Sequence, residues 1–198
     1  MAEEYEQGTV DYFLSKPITR MRFIIEKWLG SFTLLAIIYL MMITVALVMS
    51  FSLFGSQKYL FLLPEIVGSI LFSTLVFLNI AFAIGEILRR SNLSFTISGF
   101  ILIASIIISD VLVLVSQFTH NSSYEIISQY LPTWASTEFP FMLLQSSPFS
   151  TVVRELNIMP QTNSNVIFAI FSISIYSTIS LVLSFVSFLK RDIPKKVS

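Results

Sequence analysis

Four uninterrupted apolar runs, over roughly 31–54, 66–88, 95–116 and 166–189, constrain this chain more than any other feature. Each holds about 22–24 residues, which at about 1.5 Å per residue makes a helix about 33–36 Å long. The hydrocarbon core of a bilayer is about 30 Å thick, so each run is long enough to cross it with some tilt. A backbone in hydrocarbon must satisfy its own hydrogen bonds, which leaves helices or closed barrels. The runs are continuous, without the alternation that barrel strands show, and so predict helices. Composition points the same way. Of 198 residues, 55% are hydrophobic and 12% charged, and the mean hydropathy is +0.80. A soluble domain carries about twice that charge. Soluble globular, disordered and collagen-like classes are excluded, and the expected fold is an all-α integral membrane protein with four transmembrane helices.

Several chemistries are excluded as well. With no cysteine there is no disulfide, thiolate metal site or cysteine nucleophile. One histidine, His120, is too few for a histidine metal cluster. Hydrolysis inside a membrane needs a nucleophile with a base, or a metal cluster, and the spans offer one well-embedded carboxylate, Asp110. No G-x-x-x-x-G-K-[ST] phosphate loop is present. Twelve basic residues balance twelve acidic ones, so net charge gives no indication of nucleic acid as a partner. Charges crowd the first thirty residues, where no apolar signal core can be placed.

The distribution of charge sets the expected topology. With four spans both termini share a side. That side holds Lys16, Arg20, Arg22, Lys27, Arg89, Arg90, Lys190, Arg191, Lys195 and Lys196, against Lys58 and Arg154 opposite. The positive-inside rule then makes both termini cytoplasmic, including the tail at 190–198. A short outer loop ends at Pro64, and a tight inner turn follows Arg89. In contrast, 117–165 is a long outer segment with four prolines, yet it carries Ile126, Ile127, Tyr130, Leu131, Trp134 and the apolar run from Phe139 to Leu144. Linkers lack such apolar density. The segment reads as short interfacial or partly re-entrant helices, with Tyr130 and Trp134 near the headgroups.

Residues 1–30 carry the most information. Val10, Phe13, Leu14, Pro17, Met21, Ile24, Ile25 and Trp28 recur at spacings of three and four, with charges on the other face. Pro17 lacks a backbone N–H and displaces the residue before it from helical geometry, so a bend is expected at 15–17. A second helix should restart there and run through Lys27 and Gly30 into the first span. By periodicity alone this is a surface anchor whose Arg20, Arg22 and Lys27 meet anionic headgroups.

The residues themselves, Glu3-Glu4-x-Glu6-x-Gly8-Thr9, then Leu14-Ser15-Lys16-Pro17-Ile18-x-Arg20 and Lys27-x-x-Gly30, resemble the cytoplasmic stretch of the type-2 ABC exporter permeases. The likeness covers about 28 residues in specific order, and the remaining chain is similar in layout. It implies a cytoplasmic amphipathic coupling hairpin ahead of four spans, seated in a groove of a separate ABC ATPase subunit. On this resemblance Glu4 and Glu6 contact basic groups, Gly8 permits close backbone approach with Thr9 beside it in the coupling stretch, Pro17 sets the bend, and Arg20 and Lys27 hold it at the membrane. It also implies no cofactor in this chain, with ATP and Mg bound by the partner ATPase, and a second permease copy or a related permease beside it in the lipid bilayer. Family members usually carry two further helices before the motif, for six in total. Here the sequence begins at the motif: those helices lie upstream, come from another polypeptide, or are missing in a reduced relative.

Polar residues within the spans are the remaining candidates. Asp110 should face protein or water. Asn79 is suited to hydrogen bonding between helices. Ser98, Ser105, Ser109 and Ser116 form one stripe, and Ser174, Ser177, Ser184 and Ser187 another. Such stripes permit close helix packing, or line a translocation path. Glu86 precedes Arg89 and Arg90 at ion-pair spacing. Two functional classes follow: a permease subunit of an ABC exporter, or a non-transporting structural subunit of a larger membrane complex.

Overall fold

The computed structural model describes residues 7, 19–56, 59–145 and 165–190. Six α-helices are present among them: α1 (Arg20–Phe54), α2 (Leu63–Leu88), α3 (Ser91–Thr119), α4 (Ser122–Gln129), α5 (Trp134–Gln145) and α6 (Val166–Lys190). No strand occurs among the described residues. The fold is all-α, and α1, α2, α3 and α6 are long and apolar enough to cross a membrane.

The helices begin and end where local chemistry dictates. Thr19 caps α1, its Oγ1 accepting from the Arg22 N–H at 3.4 Å. From there α1 runs unbroken for 35 residues, so the amphipathic stretch from Arg20 and the first apolar run form one helix. It stops at Gly55, whose φ of 72° and ψ of −154° lie in a region open essentially to glycine. A 3-10 turn, Leu60–Leu62, leads into α2, which has Pro64 in its first turn, where a missing N–H costs nothing. Arg89, with φ 54°, closes α2, and Arg90 opens α3. His120, with φ 52°, closes α3. The Asn121 side chain then caps α4 by accepting from Ser123 N–H at 3.0 Å.

α2 lies at the centre and packs against α1, α3, α5 and α6. Inside a bilayer, lipid is as apolar as leucine, so helices associate through close packing and polar links rather than through loss of water. The buried surface of α2 reflects this, with Ser69, Ser73, Thr74, Asn79, Gly85 and Glu86 among its buried residues. Ser94, Ser98, Ser105, Ser109 and Ser116 are the buried residues of α3. In α1, only Phe23 and Ile24 are fully buried, whereas Met41, Met42, Val48, Leu53 and Phe54 are exposed.

The segment between α3 and α6 turns back into the bundle. α4 packs along α3, and α5 packs against α2 and α6. The tip between them is fixed by Thr133, whose Oγ1 lies 2.7 Å from Ser105 Oγ at the middle of α3. Ser105 is about 20 Å from the far end of that helix. Beside the tip, Trp134, Ala135, Phe139 and Met142 form a core with Val76 at mid-length of α2 and with Ala169 and Ile173 of α6. Trp134 is 1% exposed, stacked edge-on to Phe168, and sits inside the bundle, which corrects the headgroup position expected for it. The small side chains of Ala135 and Ala169 admit the large ring, and burial against two helices outweighs the pull of the interface. Tyr130 remains exposed, with its carbonyl accepting from the Tyr176 hydroxyl.

Candidate coupling site at the basic end of the bundle

The amphipathic segment that the sequence marks out enters the bundle through the foot of α1. Glu4, Glu6, Gly8, Thr9 and Pro17, with the bend expected at 15–17, lie outside the described residues. Arg20 and Lys27 are the candidate coupling residues within them. Arg20 is the first residue of α1 and is half-buried. Two residues on, Arg22 Nε donates to Glu26 Oε1 at 2.6 Å, an exposed pair along the helix. Lys27 Nζ sits 5.8 Å from the centroid of the Phe23 ring, on the partly buried side of the helix. Each basic side chain therefore brackets an apolar anchor.

That anchor is a small aromatic core. Phe23 and Ile24 of α1 pack with Phe82 of α2 and Phe188 of α6, and Trp28 and Phe185 close its sides. The rings of Phe23 and Phe188 stack at 5.8 Å, inclined by 17°. Ile24 is fully buried. The helical spacing of 23, 24 and 28 puts all three on one face; of the apolar stripe read from the sequence this face takes Ile24 and Trp28 and adds Phe23, while Met21 and Ile25 are exposed.

Just inside this core is a polar joint of three helices. Trp28 Nε1 donates to Asn79 Oδ1 at 2.6 Å. The Asn79 amide Nδ2 in turn donates to Ser177 Oγ and approaches the Ser177 carbonyl at 3.4 Å. Asn79 is 1% exposed. The Trp28 ring also stacks on Phe32, 5.9 Å away and nearly parallel. Sequence reasoning named Asn79 and Ser177 but took Trp28 only as one member of the apolar stripe; no local signal pairs residues 51 and 98 positions apart.

The other polar candidates are dispersed. Ser105 serves the hairpin tip through Thr133. Ser109 is buried one turn further along α3. Ser184 is buried in α6, its hydroxyl without a hydrogen-bond partner among the described residues. Glu86 is fully buried at the basic end. Asp110 is exposed on α3 and stands apart from the buried serines.

A residue that the sequence did not single out lies near Asp110. Glu138 of α5 is half-buried. Both residues lie five positions beyond the Ser105–Thr133 contact on helices running the same way, which puts them at similar depth. A lone carboxylate inside the apolar stretch of residues 134–145 was the available signal.

The model of the ABC-2 family transporter protein matches residues 1–193, including all four spans and the inward-turning hairpin. The chain belongs to the ABC-2 transporter family. Comparison with curated proteins and with solved structures found no match. As an ABC-2 chain it is a multi-pass membrane component of an ABC transporter, a class that generally does not itself carry out catalysis and that works with an ABC ATPase subunit. The aromatic core and the Trp28–Asn79–Ser177 joint thus lie where an ABC-2 permease passes from its amino-terminal segment into its spans.

Proposed function

We propose that this chain is the permease subunit of an ABC-type exporter in the cell membrane, with both termini cytoplasmic. A separate nucleotide-binding subunit holds ATP and Mg and hydrolyses the nucleotide. Residues 1–30 form the coupling segment that this ATPase moves, and a second copy or a related permease completes the pathway. One observation carries the reading beyond family membership. The helix that continues the coupling segment is buried at its foot against both α2 and α6, and further along it has no fully buried side chain. Such an attachment receives displacement at the end that an ATPase can reach and conveys it to the centre of the bundle.

Purification of the tagged chain from its native membrane in mild detergent, followed by mass spectrometry, tests this. The expected result is an ATP-binding subunit in near-equal amount. Recovery of other membrane proteins with no ATPase would replace the exporter by a structural subunit of a larger complex.

A further inference from the structure

We propose that Asn79 is a positioning residue of the transport cycle, locking the foot of α1 to α2 and α6 so that the three helices move as one body. The inference rests on the exporter reading above and adds to it a defined point of force transfer.

The argument starts from what apolar contact can and cannot do in a membrane. The Phe23, Ile24, Phe82 and Phe188 cluster brings three helices together, but ring-on-ring packing resists sliding weakly because it has no preferred partner atom. Hydrogen bonds are directional and weaken steeply when the donor leaves its axis. Asn79 makes one bond as an acceptor, to Trp28 of α1, and one as a donor, to Ser177 of α6. A carboxylate of the same shape could only accept, and a leucine could do neither. The amide is 1% exposed, so neither bond can be exchanged for water as the helices shift. Breaking register at either contact therefore leaves a buried amide group unpaired, which is costly in hydrocarbon. The joint lies on the side of the aromatic core facing the bundle centre, where a motion of the foot has to pass.

The test uses the complex with its co-purified ATPase in lipid nanodiscs. Since the chain has no cysteine, spin labels can be placed at single introduced thiols. One pair, Met21→Cys with Val186→Cys, reports the distance between the feet of α1 and α6. A second pair, Phe118→Cys with Ile167→Cys, reports the far end of the bundle; all four positions are exposed. In the wild-type background ATP should shift the second distance while the first stays narrow. Asn79→Leu should leave ATP hydrolysis running, broaden the first distance, and lower the population of the shifted second distance by about fivefold, the lower end of ordinary coupling between sites. Trp28→Phe and Ser177→Ala, which each remove one bond, should give intermediate values and serve if the leucine variant does not fold. A wild-type shift and a wild-type foot distance in all three variants would overturn the proposal, as would the absence of any ATP-dependent shift in the wild-type complex. If no ATPase co-purifies, the exporter reading fails, and the first label pair alone then decides whether Asn79 locks the foot.

Discussion

Trp28 donates its indole N–H to Asn79 at 2.6 Å, whereas the indole N–H of Trp134 has no partner among the described residues. The two tryptophans should therefore answer differently to the same substitution. Trp28→Phe deletes a hydrogen bond and strands a buried amide oxygen, a loss of about 1–2 kcal/mol for such a link between membrane helices. Trp134→Phe leaves a small cavity but also removes a buried N–H without a partner, so the two effects offset and the loss should stay below about 1.5 kcal/mol. Thermal unfolding of both variants in the same detergent would show the ordering; a reversed order would contradict it.

Removing the Trp134 ring altogether is a different matter. It fills the space between α2 and α6 beside Val76, Ala169 and Ile173. Trp134→Ala should lower stability by about 3–5 kcal/mol, as expected for an aromatic ring lost from a packed core. The check is the melting temperature together with the yield of monodisperse protein.

Thr133→Val keeps the shape of the hairpin tip and removes its 2.7 Å contact with Ser105. Ser105 can still turn its hydroxyl to a carbonyl of its own helix, so the expected loss is about 0.6–1 kcal/mol. Amide hydrogen exchange between α4 and α5 should become faster at unchanged span stability.

The coupling and orientation readings have their own checks. Pro17→Ala and Arg20→Ala should insert normally yet lower the permease-dependent change in ATP hydrolysis by the co-purified ATPase. A membrane-impermeant maleimide applied to intact cells should label Ser56→Cys and spare Asn92→Cys. The opposite pattern would invert the topology.

The spans were legible because a run of about 20 apolar residues has one physical outcome in a bilayer. Their ends were less so. α1 was the exception: from Arg20 through Gly30 into the first span it is the continuous helix expected there, since an amphipathic helix and an apolar one join without any signal to stop until Gly55. α3 starts at Ser91, directly after the two arginines that make the turn. Asn79 and the serine stripes were readable as polar groups needing neighbours, but the neighbours were not: which face of α6 meets α2 depends on packing over the whole length. Trp134 misled for the same reason. A tryptophan in a long connecting segment resembles an interfacial anchor until the cleft that receives it is known.

The reach of α1 gives its attachment a mechanical meaning. Beyond Ile24 the helix has no fully buried side chain, and from Trp28 to Phe54 it rises about 39 Å. On the coupling reading proposed above it moves with α2 and α6 as the longest arm of one body, with its fulcrum at the foot near one membrane surface. A tilt of about 10° at the fulcrum would carry Phe54 about 7 Å across the opposite leaflet, close to the spacing of about 8–10 Å between packed helices. A movement too small to disturb the core at the basic end is, at the other end, most of the distance between two packed helices.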